Sequence, residues 1–144
     1  MRRSHLHLPS RLRWTFYATF TLLFASGLGW WIVHFTTGPE DDASIARTAL
    51  PWLLKIHGAA AMLSLVVLGV LYPLHIARGL RTDRNRIWGF ALVIATTLLI
   101  VTGYLLYYAS AETLRTVASA THTWTGVGLP LVIALHVIFG RKSR

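Results

Sequence analysis

The stretch WLLKIHGAAAMLSLVVLGVLYPLHI, Trp52 to Ile76, decides how this chain is read. A helix rises ~1.5 Å per residue, so about twenty apolar residues cross the ~30 Å hydrocarbon core of a bilayer. The stretch is longer than that, and its one formally charged side chain, Lys55, stands near an end from which it can snorkel to the headgroups. Three further apolar runs of similar length occupy 14–35, 87–108 and 117–139, none with a charged residue inside. The first is too long for the ~7–15 residue apolar region of a signal peptide, continuing through Trp30, Trp31 and Val33, so it reads as a retained helix. The links between the runs are Thr36 to Pro51, Ala77 to Arg86 and a short polar link around Ser110 to Thr116, none long enough for a second domain.

Composition agrees with four spans. The 144 residues are 54% hydrophobic and 13% charged, whereas a soluble domain carries roughly 25% charged residues. The formal charge of +9 would point to nucleic acid in a soluble protein. Here its distribution speaks for topology. Arg2, Arg3, Arg11, Arg13, Arg78, Arg81, Arg84, Arg86, Arg141, Lys142 and Arg144 fall on one side, leaving Arg47, Lys55 and Arg115 on the other with four of the five acids. By the positive-inside rule both termini and the middle loop are cytoplasmic. The expectation is an all-α, integral membrane four-helix bundle running up-down-up-down, a single membrane domain over 1–144. Its place is a bacterial-type cytoplasmic (inner) membrane, with lipid rather than nucleic acid as its surroundings.

No cysteine is present, which excludes disulfides, thiolate metal sites, iron–sulfur clusters and covalently attached haem. Seven histidines remain as the versatile ligands. His57 and His75 are eighteen residues apart on the second span, and at ~100° per residue the separation is ~1800°, five whole turns, so both face one way. His122 and His136, fourteen apart on the fourth span, fall ~40° short of four turns and also share a face. Both spans run from outside to inside. His57 therefore matches His122 in depth near the outer surface, and His75 matches His136 near the inner one.

Polar side chains inside spans are costly and commonly functional. Two imidazoles on opposite sides of a flat apolar object describe bis-histidine ligation of haem iron, and a helix bundle supplies such ligands from facing helices. Gly89 and Gly103 on the third span, near the two depths, would let a porphyrin edge approach the backbone. The plainer reading of such glycines is close helix packing in lipid.

The pattern resembles the di-haem, four-helix membrane cytochromes b, quinone-linked subunits in which two histidines separated by thirteen residues are a typical feature, as His122 and His136 are here. The resemblance covers residues 14 to 139. It implies two non-covalent b haems linking a quinone/quinol pool to a periplasmic or membrane redox partner, with His57, His122, His75 and His136 as axial iron ligands. The chain departs from equal spacing: the gaps of eighteen and fourteen residues differ by ~6 Å of helix, which tilt or kinks at Pro73 and Pro130 must absorb. Otherwise His34, at the outer end of the first span, is the alternative to His57 or His122.

Around these ligands, Arg78 and Arg141 are placed to meet the propionates of an inner haem, and Lys55 and Arg47 those of an outer one. Topology alone also accounts for the arginines. His34 is the candidate proton acceptor of a quinol site, with Glu40, Asp41 and Asp42 as proton exits. The aromatic group Trp30, Trp31, Trp52, Tyr104, Tyr107 and Tyr108 reads as an interfacial belt. Three functions compete: a transmembrane electron conduit, serving as a subunit of a quinone-linked oxidoreductase; a haem-bearing subunit that mainly anchors a larger membrane or periplasmic complex; and a haem-free channel or metal transporter using the same histidines.

Overall fold

The computed structural model describes residues 9–37, 45–80 and 85–142, with the side chains of 45–47 and 80 left aside. All regular structure among them is helical. Helix α1 spans Ser10–Thr36, α2 spans Ile45–Leu71, a π-helical turn follows at Tyr72–Ile76, and α3 continues over Ala77–Leu80. Helix α4 spans Arg86–Tyr108 and α5 spans Glu112–Lys142. By length and composition four helices are able to cross a membrane: α1, the run Thr48–Gly79, α4 and α5.

Each helix overruns the apolar run that announces it, because a helix continues into the polar layers as long as its backbone bonds are met. The link expected around Ser110 to Thr116 shrinks to Ala109, Ser110 and Ala111, with α5 already begun at Glu112. Its first turn carries that acid and its last turn Arg141 and Lys142, the order that suits the helix dipole. Pro130 lies inside α5, which runs on through it.

The chain divides into two compact units, Met1–His75 and Ile76–Arg144. In the first, α1 packs along α2 in the opposite direction, Gly27 facing His57 and Gly29 facing Leu53. In the second, α4 packs along α5, Gly103 facing His122 and Gly89 facing His136, again antiparallel. Buried side chains among the described residues are few, and most of them are Ala, Ser or Thr. The first unit buries Thr19, Ser26, Ala60, Ser64, Val67 and Leu71; the second buries Thr102, Ala118 and Leu129. Small residues let helix backbones approach where lipid removes the usual hydrophobic drive. Their hydroxyls are satisfied within their own helices: Ser26 donates to the Leu22 carbonyl at 2.7 Å, Ser64 to Ala61 at 2.7 Å and Thr102 to Leu98 at 2.6 Å. Many large apolar side chains point the other way. Met62, Val66, Ile94, Val101 and Leu131 are each at least half exposed in mid-helix, an apolar surface of the kind that lipid covers. Together with the four long helices, this makes the chain a multi-pass membrane protein.

Candidate histidine sites

In the first unit the site grows from the α1 doublet Ser26–Gly27. Gly27 leaves a gap on α1 that the His57 ring fills: a methyl group there would stand 2.8 Å from His57 Cε1 and 2.9 Å from Nδ1. So seated, Nδ1 lies 2.9 Å from the Leu23 carbonyl and 3.3 Å from Ser26 Oγ. A carbonyl only accepts, and the Ser26 hydrogen is committed to its own helix. The imidazole must therefore donate from Nδ1, which places its lone pair on Nε2.

The second unit repeats this with Thr102–Gly103 on α4. A methyl at Gly103 would touch His122 Cε1 at 3.4 Å, and His122 Nδ1 is 2.9 Å from Thr102 Oγ1. The Thr102 hydroxyl donates to the Leu98 carbonyl, so toward His122 it accepts. His122 is likewise the Nδ1–H tautomer with its lone pair on Nε2. In both units a hydroxyl residue followed by glycine faces a half-buried histidine of the next long helix.

His136 is held differently. Asn85, which caps α4 in the left-handed region (φ 54°, ψ 30°), donates its Nδ2 to the His136 carbonyl at 2.8 Å and places the same amide 3.3 Å from His136 Nδ1. Asparagine is among the few residues that tolerate this backbone. Gly89 lies opposite the ring, 4.0 Å from Cε1 to an added methyl, and Gly140 admits the Asn85 amide, to which a methyl would come within 3.1 Å. Beside them Trp88 and Phe139 stack at 5.5 Å and 9°.

His75 sits half-buried within the π turn, which also holds Pro73. A π turn closes i to i+5, so the count of 100° per residue does not carry across it, and the five-turn arithmetic that set His75 on the face of His57 no longer applies. Pro73 thus marks a local change of helix type. Such π turns occur often at functional sites.

The remaining candidates are peripheral. His34 is exposed on the last turn of α1, stacked on Trp30 at 4.7 Å and edge-on to Phe35. Arg78 on α3 and Arg141 on α5 are exposed, and Lys55 lies over the Trp52 ring at 4.7 Å. Glu40, Asp41 and Asp42 lie outside the described residues, as does the Arg47 side chain. The sequence reading missed Leu23, Ser26, Gly27, Thr102 and Asn85. The signal available for Ser26, Gly27 and Thr102 was the hydroxyl–glycine doublet recurring once in each of the first and third spans.

Comparison with protein-family models, curated proteins and solved structures finds no match. The site is therefore read from its chemistry. Among the described residues no three His, Asp or Glu side chains gather as a chelating cluster. Two of the described histidines, His57 and His122, have Nδ1–H anchored on the neighbouring helix, which in the neutral ring leaves the lone pair on Nε2, the arrangement usual for a metal-ligating histidine. That donor set fits an axial position on porphyrin iron, where one imidazole per side suffices.

Proposed function

We propose that the protein is a di-haem b-type membrane cytochrome that carries electrons between a quinone/quinol pool and a redox partner. It would work as an electron-transfer subunit rather than as a free-standing catalyst. The observation that carries this reading is the repeated seat of His57 and His122: the same tautomer, imposed by acceptors on the neighbouring helix, beside a glycine that makes room for the ring. Holding a histidine in this way fixes the ring's orientation and raises the basicity of Nε2. Nothing in helix packing alone requires the same tautomer twice.

In this reading His57 and His122 would be the ligands of one haem near the outer surface, and His75 and His136 those of a second near the inner one. A haem held by two such imidazoles would supply one-electron chemistry. Gly89 and Gly103, which face the His136 and His122 rings, would leave room for those rings beside the cofactor, and Arg78 and Arg141 would be placed to meet the inner propionates with charge-assisted bonds. His34, exposed beside Trp30, accepts the quinol proton on the outer side. Both termini face the cytoplasm of a bacterial-type inner membrane, by the distribution of arginines. The haem reading and the resemblance to quinone-linked cytochromes b reinforce each other, one from side-chain geometry and the other from histidine spacing.

An optical spectrum of the purified protein is the test. A reduced-minus-oxidised difference of b type, with two haems per chain, is the expected result. A colourless protein, folded and purified from cells supplied with haem, overturns the proposal.

A further inference from the structure

The two histidines of α5 are held in opposite chemical states. His122 faces an acceptor, Thr102 Oγ1, and carries its proton on Nδ1. His136 faces a donor. The Asn85 amide cannot be turned to offer its oxygen instead, because Nδ2 is fixed by the His136 carbonyl at 2.8 Å and an oxygen there would oppose an oxygen. With an N–H aimed at Nδ1, a neutral His136 keeps its proton on Nε2, where it has no lone pair for a metal.

Asn85 itself is under two constraints. Its backbone is the one non-glycine position with positive φ among the described residues, and its side-chain oxygen is buried without a hydrogen-bond partner. A buried acceptor left unmet is expensive, so this contact is poised to rearrange once something better is offered. Gly140 is the residue that lets the amide in, and no larger side chain would leave that room without a shift.

We propose that Asn85 is a latch that holds His136 in the tautomer unable to coordinate iron, so that haem is taken up at His122 first and at His136 last. This rests on the haem reading above. Opening the latch moves one proton from Nε2 to Nδ1 of a neutral ring, with no change of charge, and frees the amide from the ring. Asn85 is thus a positioning residue acting through His136.

The test has two arms. In the first, the haem-free full-length protein carrying isotope-labelled histidine is placed in phospholipid nanodiscs, at a pH well above the imidazole range, and tautomers are read from ring-nitrogen shifts. His57 and His122 are expected as Nδ1–H and His136 as Nε2–H. Asn85→Gly removes the amide yet keeps the left-handed backbone free of strain, and should move His136 alone. Finding His136 as Nδ1–H in the unaltered protein overturns the latch. In the second arm the same protein is titrated with hemin. The first equivalent should require His122 and ignore His136→Ala, and Asn85→Gly should tighten uptake of the second by about tenfold, the worth of one ordinary hydrogen bond. First uptake at His136, or an unchanged second affinity in Asn85→Gly, overturns ordered filling. Absence of any haem uptake would overturn the cytochrome reading and ordered filling with it, while the nitrogen shifts still decide the tautomer.

Discussion

Gly27→Ala is the sharpest perturbation this architecture offers. The added methyl would lie 2.8 Å from His57 Cε1 and 2.9 Å from Nδ1, closer than carbon atoms approach in folded proteins, so the ring must leave its seat. Displacing it breaks the 2.9 Å bond to the Leu23 carbonyl. Overpacking of this kind costs about 1–3 kcal/mol, and the lost hydrogen bond about 1 kcal/mol. Helix propensity returns about 1 kcal/mol for glycine replaced by alanine. The net expectation is a loss of about 1–3 kcal/mol by the same accounting. Gly103→Ala and Gly89→Ala form the comparison, since their methyls would stand 3.4 Å and 4.0 Å from the facing histidine, ordinary contact distances. They should gain up to about 1 kcal/mol from propensity. Unfolding by denaturing detergent in mixed micelles, followed by the fluorescence of the six tryptophans, ranks the three. Gly27→Ala as stable as the parent, or the other two equally damaged, would refute the packing account. Under the proposed function the same variants also report on haem. Gly27→Ala should lose the haem of His57, whereas Gly69→Ala, with nothing within 4 Å of its methyl, should keep both.

If His57 and His122 serve one haem, each alanine variant halves the haem content and the double variant loses no more than either, as counted by pyridine haemochrome; additive loss would separate them. The chain has no native cysteine, so Ser110→Cys and Ser10→Cys can be labelled in intact cells with a membrane-impermeant maleimide. Labelling at Ser110→Cys alone is expected, and the reverse pattern inverts the topology. His34→Ala should slow quinol-driven haem reduction at least tenfold, the lower part of the range for a general base, and an unchanged rate removes His34 from the proposed quinol site. Thr102→Val keeps the shape but removes the acceptor from His122, and should raise the midpoint potential of one haem only, because a less basic imidazole favours the reduced iron. Equal shifts of both haems would tell against a local effect.

The four spans were legible because lipid asks one thing of a segment, about twenty apolar residues, and Trp52 to Ile76 meets that without any neighbour. Histidines within such runs were conspicuous for the same reason. Angular arithmetic served less well. It assumed a uniform helix, and the π turn at Tyr72–Ile76 changes the rotation just before His75 is reached. Asn85 looked like an ordinary loop residue between arginines, since nothing local marks a side chain whose partner lies 51 residues further on.

By itself, then, the sequence determined that this chain is helical and crosses a membrane, and which histidines stand within the spans. Those properties depend on the solvent each segment meets and on local backbone bonding. Which ring nitrogen of His57, His122 and His136 carries the proton was decided only by tertiary structure. A tautomer is set by whether a facing helix presents an acceptor, as Leu23 and Thr102 do, or a donor, as Asn85 does. That choice exists only once the helices have packed.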